Sequence, residues 1–245
     1  MGIFARARAH YSWSDEEFRN YVVTAIVLAI TFSIPRFFER EYSLITWISV
    51  FILYLIVVLI LLYAILGFQK VLALSMGYRL EFRMSIILLG IGLYLAYMLE
   101  PLVPTIITPW LFIGTFYAHH HERLRLGQFR YWRNHGDLAK IVAGGALVSV
   151  LGVLLFKLIY YASGAELARD LLLLSWWLGV GMLLPLPWNQ GLDLFKTSRM
   201  GWAFVFTFVF FYGFLALIGG VGGVILAVVL AALATWLYTR AFEKS

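Results

Sequence analysis

Five histidines, thirteen acids and nineteen bases make up the chemically active inventory of this 245-residue chain, and cysteine is absent. Without cysteine there is no disulfide and no thiolate metal ligand. The densest cluster is His119-His120-His121-Glu122, followed in the same stretch by His135 and Asp137. Imidazole and carboxylate are zinc ligands, and His119 and Glu122, three apart, share a face if that stretch is helical. Consecutive histidines diverge on a helix, however, and the neighbours Arg123 and Arg125 repel a cation. No metal or other cofactor is therefore expected. Zinc enters only under an alternative reading in which His119, His121 and Glu122, with Asp193, form a relocated hydrolase site. Glu81 and Arg83, two apart, share a face if extended and suit a structural ion pair. Asn189 and Gln190 form the one obvious polar pair near a core helix, which leaves a small-molecule transporter as a third reading. The Gly219–Gly223 cluster neither follows a strand nor opens a helix as a nucleotide loop does, and reads as a turn.

The elements that must position these groups are set by composition. Hydrophobic residues make up 62% of the chain and charged residues 13%, against roughly a quarter charged in soluble domains. Residues 45–66 and 202–238 contain no Asp, Glu, Lys or Arg, and each exceeds the roughly 20 apolar residues that cross a hydrocarbon core. No period-two alternation suggests a barrel, so the expected fold is all-α, a polytopic transmembrane bundle of about 6 to 8 spans. Spans are expected at 20–35, 45–68, 85–99, 141–161, 170–187, 201–218 and 223–239. Residues 102–118 are apolar but contain Pro104 and Pro109, and either cross as a short kinked span or fold back as a re-entrant segment. One membrane domain, 1–245, is expected, with an amphipathic amino-terminal segment at 1–19 and a His/Arg-rich loop at 119–140.

Basic residues at 6, 8 and 19, at 70, 79 and 83, through 123–140, at 196 and 199, and at 240 and 244 fall on one side if 102–118 crosses. The positive-inside rule then places both termini and the 119–140 loop in the cytoplasm, with the chain integral to the plasma membrane. The net charge of +6 is explained by this rim and its contact with anionic lipid, and no nucleic-acid partner is expected. Most tryptophans lie near span ends, as an interfacial belt does. Lys157, near a span end, is expected to snorkel, and Glu166 and Asp170 to sit at a helix start.

Four stretches resemble, in order, the site-2 protease family of intramembrane zinc metalloproteases in its archaeal form. Gln69-Lys70-Val71-Leu72-Ala73, Gly77-Tyr78 and Glu81-Phe82-Arg83-Met84 are similar to the region that follows the zinc-binding HExxH helix. Residues 12–17 resemble the amino-terminal segment, Gly144-Gly145-Ala146-Leu147-Val148-Ser149 the AGPxxN helix, and Leu184-Pro185-Leu186-Pro187 with Gly191 the LPxPPLDG segment. The resemblance implies the family's scaffold but not its chemistry. Anchored on Lys70 and Ala73, the two histidine ligands fall on Ile65 and Gln69, the general-base glutamate on Leu66, and the aspartate ligand on Gln190. Such a set neither holds zinc nor takes a proton from a bound water. The expectation is a pseudoenzyme: a scaffold, regulator or accessory subunit that binds other membrane proteins or transmembrane helices.

Overall fold

The computed structural model describes residues 11–38, 43–99, 115–120, 135–218 and 223–242. Helix α1 spans Asp15–Phe38 and α2 spans Leu44–Ser75, followed by strand β1, Tyr78–Arg83, and α3, Ile86–Leu99. Strand β2, Thr115–His120, precedes α4, His135–Ser163, and α5, Glu166–Leu183. A short α6, Gly191–Thr197, then leads into α7, Arg199–Ile218, and α8, Gly223–Phe242. The fold is the expected all-α bundle with one small pair of strands. Among the described residues, five helices, α1, α2, α4, α7 and α8, are long and apolar enough to cross a membrane.

Local chemistry explains the boundaries. Ser14 caps α1, its Oγ accepting from the Glu17 amide at 3.2 Å, so the helix starts ahead of the expected residue 20. Ser43 does the same for α2 by accepting from the Thr46 amide at 3.3 Å. At about 1.5 Å per residue the 32-residue α2 is far longer than a hydrocarbon core of about 30 Å, so it tilts or projects. It ends in a turn through Gly77, whose φ of +85° is open to glycine and costly for other residues. Residues 164–165 link α4 to α5 so tightly that the two helices run antiparallel as neighbours. Pro185 stops α5 before the expected residue 187, because the residue ahead of a proline is driven out of helical geometry, and Leu184 has ψ 131°.

Helix α5 is the core of the bundle, buried from Leu171 to Leu183 and packed against α4 and α7. Trp176 and Trp177 lie inside it rather than in an interfacial belt. Helix α2 packs on α1, α4 and β1, while α8 rests mainly on α7 and turns Ile225, Val229, Leu233 and Leu237 outward. A bundle whose outer faces carry such side chains is at home in lipid.

The strands correct the sequence expectation. In β1, Tyr78, Leu80 and Phe82 point inward while Arg79, Glu81 and Arg83 are less buried, a period of two within six residues. β1 pairs antiparallel with β2 in a register that sets Tyr78 opposite His120 and Arg83 opposite Thr115. The end of the 102–118 segment is thus a strand at the end of the bundle from which α3 departs. The rest of that segment lies outside the described residues.

Candidate functional site

Three stretches far apart in the chain meet beside α5. On α2, Ile65 and Gln69 are one helical turn apart, and Ile65, Leu66 and Gln69 are fully buried. Gln190, also fully buried, ends the turn that follows α5. The Gln69 Nε2 donates to the Gln190 Oε1 at 2.9 Å, joining residues 121 positions apart. The Met182 sulfur lies 4.0 Å from the same nitrogen. From α4, Gly145 presents bare backbone to this pair. A Cβ at that position would fall inside the Gln69 carboxamide, so the glycine is what lets Gln69 reach across.

The turn itself is tightly built. Asn189 Nδ2 donates to the carbonyls of Gly181 at 2.7 Å and Leu184 at 2.8 Å, which accept no α-helical bond because the helix stops there. Trp202 Nε1 donates to the Leu183 carbonyl at 2.7 Å, anchoring α7 to the end of α5. Gly191 lies directly against the Leu183 carbonyl, where a side chain would collide. Pro185 and Pro187 confine the backbone between them. Trp188 then adopts φ +62° and stands 58% exposed. A proline at that position is impossible in this conformation.

A second polar centre adjoins the first on α2. Lys70 Nζ lies 2.6 Å from Glu17 Oε2, with both side chains almost wholly buried. The ammonium also donates to the Ser12 carbonyl at 2.9 Å and sits 4.1 Å from the Trp13 ring centre. The other carboxylate oxygen of Glu17 accepts from the Phe82 amide at 2.9 Å. One ion pair therefore binds the amino-terminal segment, α2 and β1 together. Sequence reading placed residues 12–17 and Lys70 in matching motifs without foreseeing their contact. Two opposite charges in an apolar chain are the signal that finds it, since burial of either alone is costly. Tyr11, in the same segment, has its phenol pushed up to about 12, chiefly by burial and then by the Tyr63 hydroxyl.

Of the other residues singled out in the sequence, Tyr78 donates to Asp137 Oδ2 at 3.4 Å, which ties β1 to the first turn of α4. Phe82 is core, and Glu81 and Arg83 share a face of an extended strand as anticipated. Met84 packs partly buried against the core. Ser149 returns its hydroxyl to the Ala146 carbonyl at 2.7 Å within α4 and does not join the glutamines.

The alternative metal cluster loses its helical premise at His119, which is in β2 opposite Arg79. His121 and Glu122 lie outside the described residues. His135 and Asp137 belong to α4 rather than to a loop, and no group of three potential ligands assembles among the described residues. Lys157 is 4% exposed, with its Nζ 5.8 Å from the Tyr161 ring centre, so its side chain packs against the protein. Asp170 accepts from the Tyr54 hydroxyl at 3.0 Å, pairing α5 with α2.

Comparison with known protein families, curated proteins and solved structures finds no match to the chain.

Proposed function

We propose that this chain is a catalytically inactive relative of the site-2 proteases, a membrane scaffold that binds other membrane proteins or transmembrane helices as a regulator or accessory subunit. The observation that carries the reading is the meeting of Gln69, Gly145 and Gln190 at one buried point. The resemblance assigns zinc ligands to Ile65, Gln69 and Gln190, and residues that share a metal must share a place. Chance similarity in three unrelated stretches gives no reason for two of those positions to be in hydrogen-bond contact. The chemistry at that place is a hydrogen-bonded amide pair beside aliphatic side chains, so what the scaffold retains is shape and connectivity rather than a hydrolytic centre. The basic rim and apolar helices fit a plasma-membrane protein with cytoplasmic termini.

Rebuilding the site tests the ancestry. A variant carrying Ile65→His, Gln69→His and Gln190→Asp, purified in detergent, is expected to hold about one zinc ion per chain by mass spectrometry, against none in the wild type. A rebuilt variant that keeps its helical content but takes up no zinc counts against the reading. The scaffold role is tested separately by co-purification from native membranes, where the absence of any reproducible membrane-protein partner would sink it.

A further inference from the structure

The glutamine pair leaves hydrogen-bonding capacity unused at its centre. Gln69 Oε1 and Gln190 Nε2 are both buried with no partner, on side chains fully shielded from solvent, and neighbouring Asn189 Oδ1 is in the same position. A buried donor or acceptor left in that state forfeits its hydration and gains nothing in return. Exchanging nitrogen and oxygen in both amides keeps the hydrogen bond between them and again leaves one donor and one acceptor over, so the deficit does not depend on how the amides are assigned. The two leftover atoms belong to carboxamides joined at 2.9 Å, so an unused donor and an unused acceptor belong to one hydrogen-bonded pair.

We infer that an internal water molecule is bound at this pair, donating to Gln69 Oε1 and accepting from Gln190 Nε2. Water offers donors and acceptors together in the smallest molecule that can do so, beside a pair that Gly145 and Met182 pack closely. Buried waters typically make about three hydrogen bonds to groups that would otherwise go unpaired, and Asn189 Oδ1, in the next residue of the chain, is a further unpartnered acceptor. The hydrated brace joins α2 to the turn after α5. It accounts for two amides where apolar side chains would pack at lower cost: a polar contact fits one register of the turn against α2, and an apolar one tolerates several. The unpartnered amide atoms call for a water whether or not the chain descends from a protease.

The chain has three glutamines, so selective ¹⁵N-glutamine labelling gives a spectrum simple enough to read. In lipid nanodiscs the Gln190 Nε2 protons, assigned by loss of their signal in Gln190→Leu, are expected to show a cross-peak to a long-lived water. Gln69→Leu removes one acceptor and is expected to weaken that peak. An experimental density map should place the oxygen within hydrogen-bond distance of both amides. Absence of the water cross-peak in wild-type protein overturns the inference, as does a map in which the two carboxamides pair reciprocally through both of their Nε2 and Oε1 atoms.

Discussion

Gly145→Ala is the sharpest probe of the site, because elementary helix propensity and the tertiary structure predict opposite signs. In an isolated helix the change stabilises by roughly 0.5–1 kcal/mol. In this structure the new methyl falls within the Gln69 carboxamide and 3.1 Å from its Cγ, so the side chain must swing away from Gln190. Losing the buried hydrogen bond costs about 1 kcal/mol and its stranded partners about 1–3 kcal/mol more, while forced repacking adds about 1–3 kcal/mol. After the propensity gain, a net destabilisation of about 2–6 kcal/mol is expected. Reversible unfolding by SDS in mixed micelles, followed by tryptophan fluorescence and circular dichroism, measures it. Gln69→Ala in the same background vacates the space the methyl needs, so the double variant should be no less stable than Gln69→Ala alone, a coupling of at least about 1.5 kcal/mol. A Gly145→Ala protein within about 0.5 kcal/mol of wild type, or strictly additive costs, would refute the reasoning.

Lys70→Met leaves Glu17 charged and buried and should cost about 3–5 kcal/mol, read in the same titration; Glu17→Gln leaves the buried Lys70 ammonium without a counter-charge and should also destabilise, and a cost within about 0.5 kcal/mol of zero for either variant would deny the ion pair its role. Tyr54→Phe removes the hydroxyl that donates to Asp170 and should lose about 1.5–3 kcal/mol, the usual value for a bond to a charged group; no change would mean that this contact carries no stability. Trp188→Gly should be more stable than Trp188→Ala by about 1–2 kcal/mol, because only glycine takes φ +62° without a steric penalty, and equal stabilities would contradict that backbone geometry. The Tyr11 phenol, raised to about 12 from the ordinary tyrosine value of about 10, favours the folded state while neutral. Its contribution is complete below about pH 10 and is lost as pH rises towards 12, so Tyr11→Phe should flatten part of the alkaline stability profile between those values, and an unchanged profile would argue against a buried Tyr11.

The long helices were legible because lipid imposes a simple rule: an uncharged run of about 20 residues must satisfy its own backbone hydrogen bonds, and a helix does so locally. Residues 45–66 and 202–238 meet that rule without reference to anything else in the chain. Strand β1 was not legible as a strand, although its residues alternate, because six residues are too few to stand out and its ladder needs β2, more than thirty positions away. The motif residues Gln69, Gly145 and Gln190 could be singled out by type and order. Their meeting at one point depends on how α2, α4 and the turn after α5 pack, and no local pattern encodes that packing. The same holds for Glu17 and Lys70, 53 residues apart. Amino-acid type decided that these groups are polar in an apolar chain. Only the tertiary structure decided which of them answer one another, since the energy of a buried hydrogen bond or ion pair is a property of two positions in space rather than of either residue alone.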